Sequence, residues 1–351
     1  MNPQWQHVFP FCAVIGQDAV KNALIWNAVN PRIGGVLISG EKGTAKSTLA
    51  RGLAAVLGGT EVVELPLNVT EDRLVGTIDL EKAIIGGKKC LEPGILQKAD
   101  GNILYADEVN LLSDHIVNCL LEVSASGVNL VEREGVSCSH RARFVLVGTM
   151  NPEEGALDPQ FLDRFGLCVQ AGGSRLPAER AEIIRRRLAY EKAPDAYIAK
   201  WKDETEKLSE KIARAKEILG RVEVSESVMR LAAQIAAQGN CAGHRAELAA
   251  VQTARAVAAL AARTDVSAED LKLAAGFALP HRLRRDPRQK PPENGEEARG
   301  GAENSPPEQA AREPGTRPER GPGETEAQRR ENASAGETRP GAAPDAPEKL
   351  E

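Results

Sequence analysis

Aromatic side chains are scarce: Phe, Tyr and Trp make up 3% of the 351 residues. Binding of single-stranded nucleic acid relies on such rings as stacking platforms, so the scarcity disfavours that class. No apolar run approaches the roughly 18–20 residues that cross a bilayer, and no membrane span is predicted. The opening MNPQWQHVFPFC has neither a basic start nor an apolar stretch and is not read as a secretory signal. The six cysteines (Cys12, Cys90, Cys119, Cys138, Cys168, Cys241) include no C-x-x-C pair. They predict buried thiols of a cytoplasmic protein, not a disulfide framework or a zinc finger. The histidines (His7, His115, His140, His244, His281) lack metal-ligand spacing.

An excess of positive charge is also missing. Residues 286–351 carry 10 basic and 15 acidic side chains. The whole chain has 45 and 50, so the first 285 residues hold 35 of each and are neutral. A basic nucleic-acid footprint is therefore not expected. The same C-terminal stretch contains no Val, Ile, Phe, Tyr or Trp and 11 of the 21 prolines. Such a composition cannot bury enough apolar area to offset its ordering entropy, so a disordered tail is predicted over 286–351.

The first half alternates two kinds of run. Strands are predicted at Gly34–Ser39, Glu61–Leu65, Ile103–Ala106 and Phe144–Val147, with helices at Thr44–Leu57 and near Leu111–Ser124. Buried strands alternating with helices imply an α/β fold with a parallel sheet covered on both faces. From about Pro177 only helical spacing remains: Ala178–Glu191, Asp195–Leu219, Ser225–Ala237, Arg245–Arg263 and Ala268–Ala275. Ser225 and Ser267 stand at N-cap positions, and Ser267-Ala268-Glu269-Asp270 has the form of a capping box. The expected domains are 1–176, an all-helical 177–285, and the tail.

Gly40-Glu41-Lys42-Gly43-Thr44-Ala45-Lys46-Ser47-Thr48 follows the first strand and opens a helix. This is a phosphate-binding loop, G-x-x-x-x-G-K-[ST], with Ala45 at the last glycine position. Backbone amides and a helix N-terminus attract phosphate, Lys46 would meet the β/γ-phosphates, and the Ser47 hydroxyl would hold Mg²⁺. A later strand ends in Asp107-Glu108, at the sheet edge where α/β folds bind ligands. Asp107 would hold the metal, and Glu108 would orient or deprotonate an attacking water. Asn151 closes the strand Val147–Asn151. It is either a γ-phosphate partner or simply a turn former before Pro152. Arg164, beside Asp163, is either a solvated surface pair or a guanidinium reaching a neighbouring subunit's phosphate. Arg245 opens a helix in the second domain and could reach the nucleotide from above.

In this order the residues resemble an AAA+ ATPase: a P-loop NTPase core followed by a helical lid. More narrowly, FPFCAVIGQDAVKNAL (9–24), NPRIGGVLISGEKGTAKST (30–48), LYADEVNLL (104–112) and LVGTMNPEEG (146–155) resemble the motor subunit of magnesium chelatase and cobaltochelatase. The resemblance extends over nearly all of 8–285. It implies Val14, Ile15 and Gly16 at the adenine, Gly40 to Ser47 as Walker A and Asp107 with Glu108 as Walker B. Asn151 becomes sensor 1, Arg164 a trans-acting finger and Arg245 sensor 2. Hairpin-bearing inserts that face partners are implied around 76–93 and 128–139. Asp158 departs from the family, which has a basic residue there. ATP and Mg²⁺ are the implied cofactors, with a homo-oligomeric ring (a hexamer), a von Willebrand A domain subunit and a large porphyrin-binding subunit as partners. The alternative is a MoxR-like chaperone acting with a von Willebrand A partner.

Overall fold

In the computed structural model, which describes residues 7–78, 91–133, 136–241 and 243–283, the apolar runs become strands of one sheet. Helix α1 (Asp18–Val29) leads to β1 (Val36–Ser39), all four residues of which are buried, and then to α2 (Lys46–Leu57). β2 (Val62–Leu65), α3 (Glu71–Val75), β3 (Gly76–Ile78), β4 (Leu91–Pro93) and α4 (Ile95–Lys98) follow. Next come β5 (Ile103–Ala106), α5 (Asp114–Ser126), β6 (Val128–Arg133) and β7 (Val136–Arg141). β8 (Val145–Met150), α6 (Pro159–Leu162) and β9 (Leu167–Gln170) complete this part.

The five-stranded sheet has the order β2-β5-β8-β1-β9 and every pairing in it is parallel. β1 lies at the switch in order, with Val36 opposite both Val147 and Leu167. β9 is the strand that the sequence reading lacked. The period-2 alternation divides the apolar side chains between two faces. Val36, Ile38, Ile103, Tyr105, Val147 and Val169 pack towards α1 and α2, whereas Leu37, Leu104, Ala106 and Leu146 pack towards α5 and the α3–α4 side. The β3–β4 and β6–β7 pairs are antiparallel ribbons at the two inserts. Residues 79–90 and 134–135 of those inserts lie outside the described residues, as does the tail predicted over 286–351.

Beyond the sheet the described elements are helical: α7 (Pro177–Lys192), α8 (Pro194–Lys200), α9 (Lys202–Leu219), α10 (Glu226–Gln238), α11 (Arg245–Leu260) and α12 (Ala268–Ala278). The helix expected over 195–219 is two helices, broken at Trp201. Both predicted N-caps form. Ser225 accepts from the Val228 amide, and Ser267 with Asp270 makes the reciprocal capping box. The later helices pack behind the sheet, not over its phosphate-facing edge: α9 and α11 lie against α1, and α12 against β9. Trp26 of α1 meets Phe277 of α12 edge-on at 4.8 Å. The five described cysteines are free and partly buried, and burial raises Cys119 and Cys168 to about 11. Among the described residues, no helix is long and apolar enough to cross a membrane.

Candidate functional site

The phosphate loop takes its shape from close backbone approaches. A side chain on Gly40 would meet the Ala171 carbonyl oxygen at 2.1 Å, so only glycine fits beside β9's continuation. Ala45 has φ +65°, the left-handed region, directly before α2. The missing glycine is therefore a strained alanine, costing on the order of 1–2 kcal/mol. A cavity of about 520 Å³ opens beside the loop. Lys42 to Thr48 line it together with Tyr105, Asp107, Glu108, Thr149 and Asn151, while Gly40 and Glu41 do not. The Lys46 ammonium donates to the Gly40 carbonyl and, at 3.0 Å, to the Glu41 carbonyl. Burial draws its pKa below the ordinary lysine value, against the pull of Asp107 and Glu108.

Thr149, which sequence reasoning missed, ties the two carboxylate residues together. Its hydroxyl donates to Asp107 Oδ1 and accepts the Glu108 amide at 3.1 Å. Tyr105 also donates to Asp107 Oδ1, at 3.0 Å, and burial beside that carboxylate raises the phenol's pKa. Glu108 has φ +50° and so turns sharply out of β5. Asn151 is buried and lines the cavity, and its side chain accepts from the Glu153 amide at 3.3 Å. That contact is the one a turn former before Pro152 makes, and the same side chain stands on the cavity wall. Glu154 is a second omission: Lys42 of the loop bridges it at 2.5 Å and Glu108 at 3.7 Å. The Lys42 hydrogen bond holds the Glu154 carboxyl below its usual range and raises Lys42.

On the other side of the loop lies a cavity of about 320 Å³ that shares Gly43, Thr44, Ala45 and Thr48 with the first. Val14, Ile15 and Gly16 line it, faced by Ile183, Arg186 and Arg187 of α7. Arg186 fixes α7 there, donating to the Ala13 carbonyl at 2.9 Å. An apolar slot joined to a phosphate cavity across one loop fits a nucleoside triphosphate. The donor set fits Mg²⁺ as well, because the Ser47 hydroxyl and the Asp107 carboxylate face the same space and this ion otherwise keeps water and phosphate ligands.

Two predicted residues are elsewhere. Arg164 and Arg245 line a separate cavity of about 390 Å³ with Asp114, His115, Asn118 and Gln160. Arg164 donates to Asn118, and Arg245 meets Asp163 Oδ2 at 2.9 Å. Arg245, expected from the sequence to reach the nucleotide from above, lies instead in this separate cavity. The reason is the docking of the later helices behind the sheet. Arg282, to which sequence reasoning gave no role, is buried and holds the loop that carries Arg164. It donates to the carbonyls of Asp163, Phe165, Gly166 and Ala278.

Residues 35–165 match the family described as AAA domain (dynein-related subfamily), and 229–299 match the AAA lid domain. A solved Cytophaga hutchinsonii protein described as a candidate ATPase is 21% identical, with a TM-score of 0.55 over 77% of this chain and 83% of that one. That likeness is one of fold. The class defined by this sheet, loop and lid is the AAA ATPases. The magnesium-chelatase subunit ChlI homolog of Methanocaldococcus jannaschii is 45% identical, covering 83% of this chain and 90% of the relative. The magnesium-chelatase 38 kDa subunit of Rhodobacter capsulatus is also 45% identical, covering 80% and 89%. The chain belongs to the magnesium-chelatase I-subunit family, whose members are AAA ATPase subunits.

Proposed function

We propose that this chain hydrolyses ATP with Mg²⁺ in a homo-oligomeric ring, a hexamer, and drives a partner subunit to insert a metal ion into a tetrapyrrole. The reading is carried by one observation: Lys46, Ser47, Asp107, Glu108 and Asn151 converge on one cavity joined across the loop to an apolar slot. The division into 1–176, 177–285 and 286–351 is part of the same proposal, as is a cytoplasmic setting.

Lys46 leaves the loop carbonyls to meet the β/γ-phosphates, and the loop amides from Gly43 to Ser47 surround them. Ser47 and Asp107 would hold Mg²⁺, which would supply positive charge to the phosphate oxygens. Glu108 accepts a proton from the attacking water, and Asn151 hydrogen-bonds that water or the γ-phosphate. Thr149 and Tyr105 keep Asp107 from rotating. Arg164 acts on the ATP of a neighbouring subunit, and Arg245, placed in the same cavity, faces that neighbour with it. A von Willebrand A domain subunit and a large porphyrin-binding subunit are the proposed partners.

The test has two parts. Purified chain should hydrolyse ATP only with Mg²⁺, and should retain a large porphyrin-binding subunit when used as bait in native lysate. Hydrolysis without that capture would leave the ATPase reading standing and overturn the chelatase reading.

A further inference from the structure

Far from the phosphate cavity, at the opposite ends of the strands, lies a hollow of about 630 Å³ between sheet and lid. Its walls come from the turn before β1, the turns before β5 and β8, and the helices α9 and α11. Five cations line it: Arg32, Arg141, Arg143, Lys216 and Arg255. No carboxylate among the described residues does. In a body with 35 basic and 35 acidic side chains this is a local concentration of one sign.

The partners of these five make the imbalance plain. Arg141 reaches Asp100 at 3.2 Å, and the same carboxylate oxygen accepts the Arg143 amide at 2.8 Å, so this one acid is engaged. Arg255 donates only to neutral oxygens, those of the Gln252 side chain at 3.3 Å and the Leu219 carbonyl at 3.1 Å. The Arg32 and Arg143 guanidiniums and the Lys216 ammonium have no partner among the described residues. Lys216 is exposed at the edge of the hollow, and partial desolvation lowers its pKa below the ordinary lysine value with no carboxylate countering it. Like charges set around a concave wall raise the potential inside it and favour an anion there.

The shape selects among anions. The cations spread over the turn before β1, the end of β7 and two lid helices; they do not converge on one point as around a single phosphate. The remaining lining is uncharged and includes Asn30, Asn102, Ser124 and Ser126. Nucleic acid would want a continuous basic stripe and a free ring for stacking, but Phe144 of the lining is only 4% exposed. We propose that this hollow binds an acidic peptide segment of a partner protein, one with several carboxylates spaced to meet these separate cations. Bound there, the segment would bridge core and lid. The inference stands apart from the assignment of the ATP site.

The experiment follows fluorescence anisotropy of a labelled glutamate-rich peptide, added to the full chain at low salt. A peptide with glutamine for glutamate is the neutral control. The acidic peptide should bind, and more weakly as salt rises. The double substitution Arg32→Ala with Arg143→Ala, and separately Lys216→Met, should weaken binding about tenfold or more, and basal ATP hydrolysis should stay unchanged. Equal binding of the neutral peptide, or variants within about twofold of the parent, would overturn the proposal. So would equal competition by inorganic phosphate, which would mark a small-anion site, or tighter binding of a single-stranded oligonucleotide.

Discussion

Asp163 is held from both sides by arginines of the lid: Arg282 Nε lies 3.2 Å from Oδ1, and Arg245 lies 2.9 Å from Oδ2. Asp163 is the residue before Arg164. The loop that presents Arg164 is therefore set by the lid and not by the sheet alone. Arg282 is 7% exposed and satisfies several carbonyls of that loop. Replacing it with alanine leaves the loop carbonyls without their donor, while the half-buried Asp163 keeps Arg245. The Arg282→Ala chain should lose roughly 1–3 kcal/mol of stability, the range for leaving a buried acceptor unpaired, as read from denaturant midpoints. Arg282→Lys should not restore it, because an ammonium cannot fork to the same acceptors.

Beside Arg282, His281 donates from Nε2 to the Phe165 carbonyl at 3.0 Å, while Nδ1 is buried without a partner. Burial, helped by the Arg282 charge, lowers its pKa to about 4 from 6.5. The unfolded chain then binds the proton first. The stability from a neutral His281 is complete above about pH 6.5 and is lost as pH falls towards 4. The loss is on the order of 3 kcal/mol. His281→Gln, which keeps a donor without titrating, should flatten the stability profile across that window. An unchanged slope would remove His281 from the account.

Ala45 offers a test of the loop. Glycine at φ +65° relieves the left-handed strain of alanine but costs about 0.5–1 kcal/mol more conformational entropy on folding. Ala45→Gly should therefore stabilise the chain by about 1 kcal/mol or less, seen as a small rise in melting temperature, with ATP affinity retained.

Glu108→Gln should keep ATP binding and reduce turnover by about 100-fold or more, since an amide cannot take the water's proton. Lys46→Ala should instead weaken binding itself. Near-parental hydrolysis by the Glu108 variant would end its assignment as base.

Arg164→Ala should bind ATP but not hydrolyse it. Mixed with Glu108→Gln subunits, it should recover part of the activity, because some interfaces then join an intact Glu108 to an intact Arg164. If the mixture stays silent, or a lone Arg164→Ala chain turns over normally, the finger does not act between subunits.

Much of this architecture could be read in advance because its causes are local. Ile103–Ala106 is wholly apolar and wholly buried, and Ser267 with Asp270 caps its helix within four residues. The phosphate loop and Asp107-Glu108 were legible for the same reason. β9 (Leu167–Gln170) was missed because it is short and mixes Cys and Gln with its apolar residues. The break at Trp201 was hidden by apolar spacing that continues through it. Thr149 and Arg282 left no local trace. Their partners lie 42 and 119 residues away, and only the closed fold brings them together. The position of Arg245 was unreadable for a related reason: it depends on which side of the sheet the lid docks.

That docking has a consequence for how the molecule comes apart. The apolar side chains of α9 to α12 are continuous with those of α1, α2 and one face of the sheet. Trp26 is covered from the lid side by Phe277, not only from the core. A chain cut after residue 176 would bare that surface, so the boundary that separates two sequence patterns is not a seam along which the protein melts. Heating should produce one cooperative transition for sheet and lid together, and hydrogen exchange should show α1 and α11 opening as a single unit.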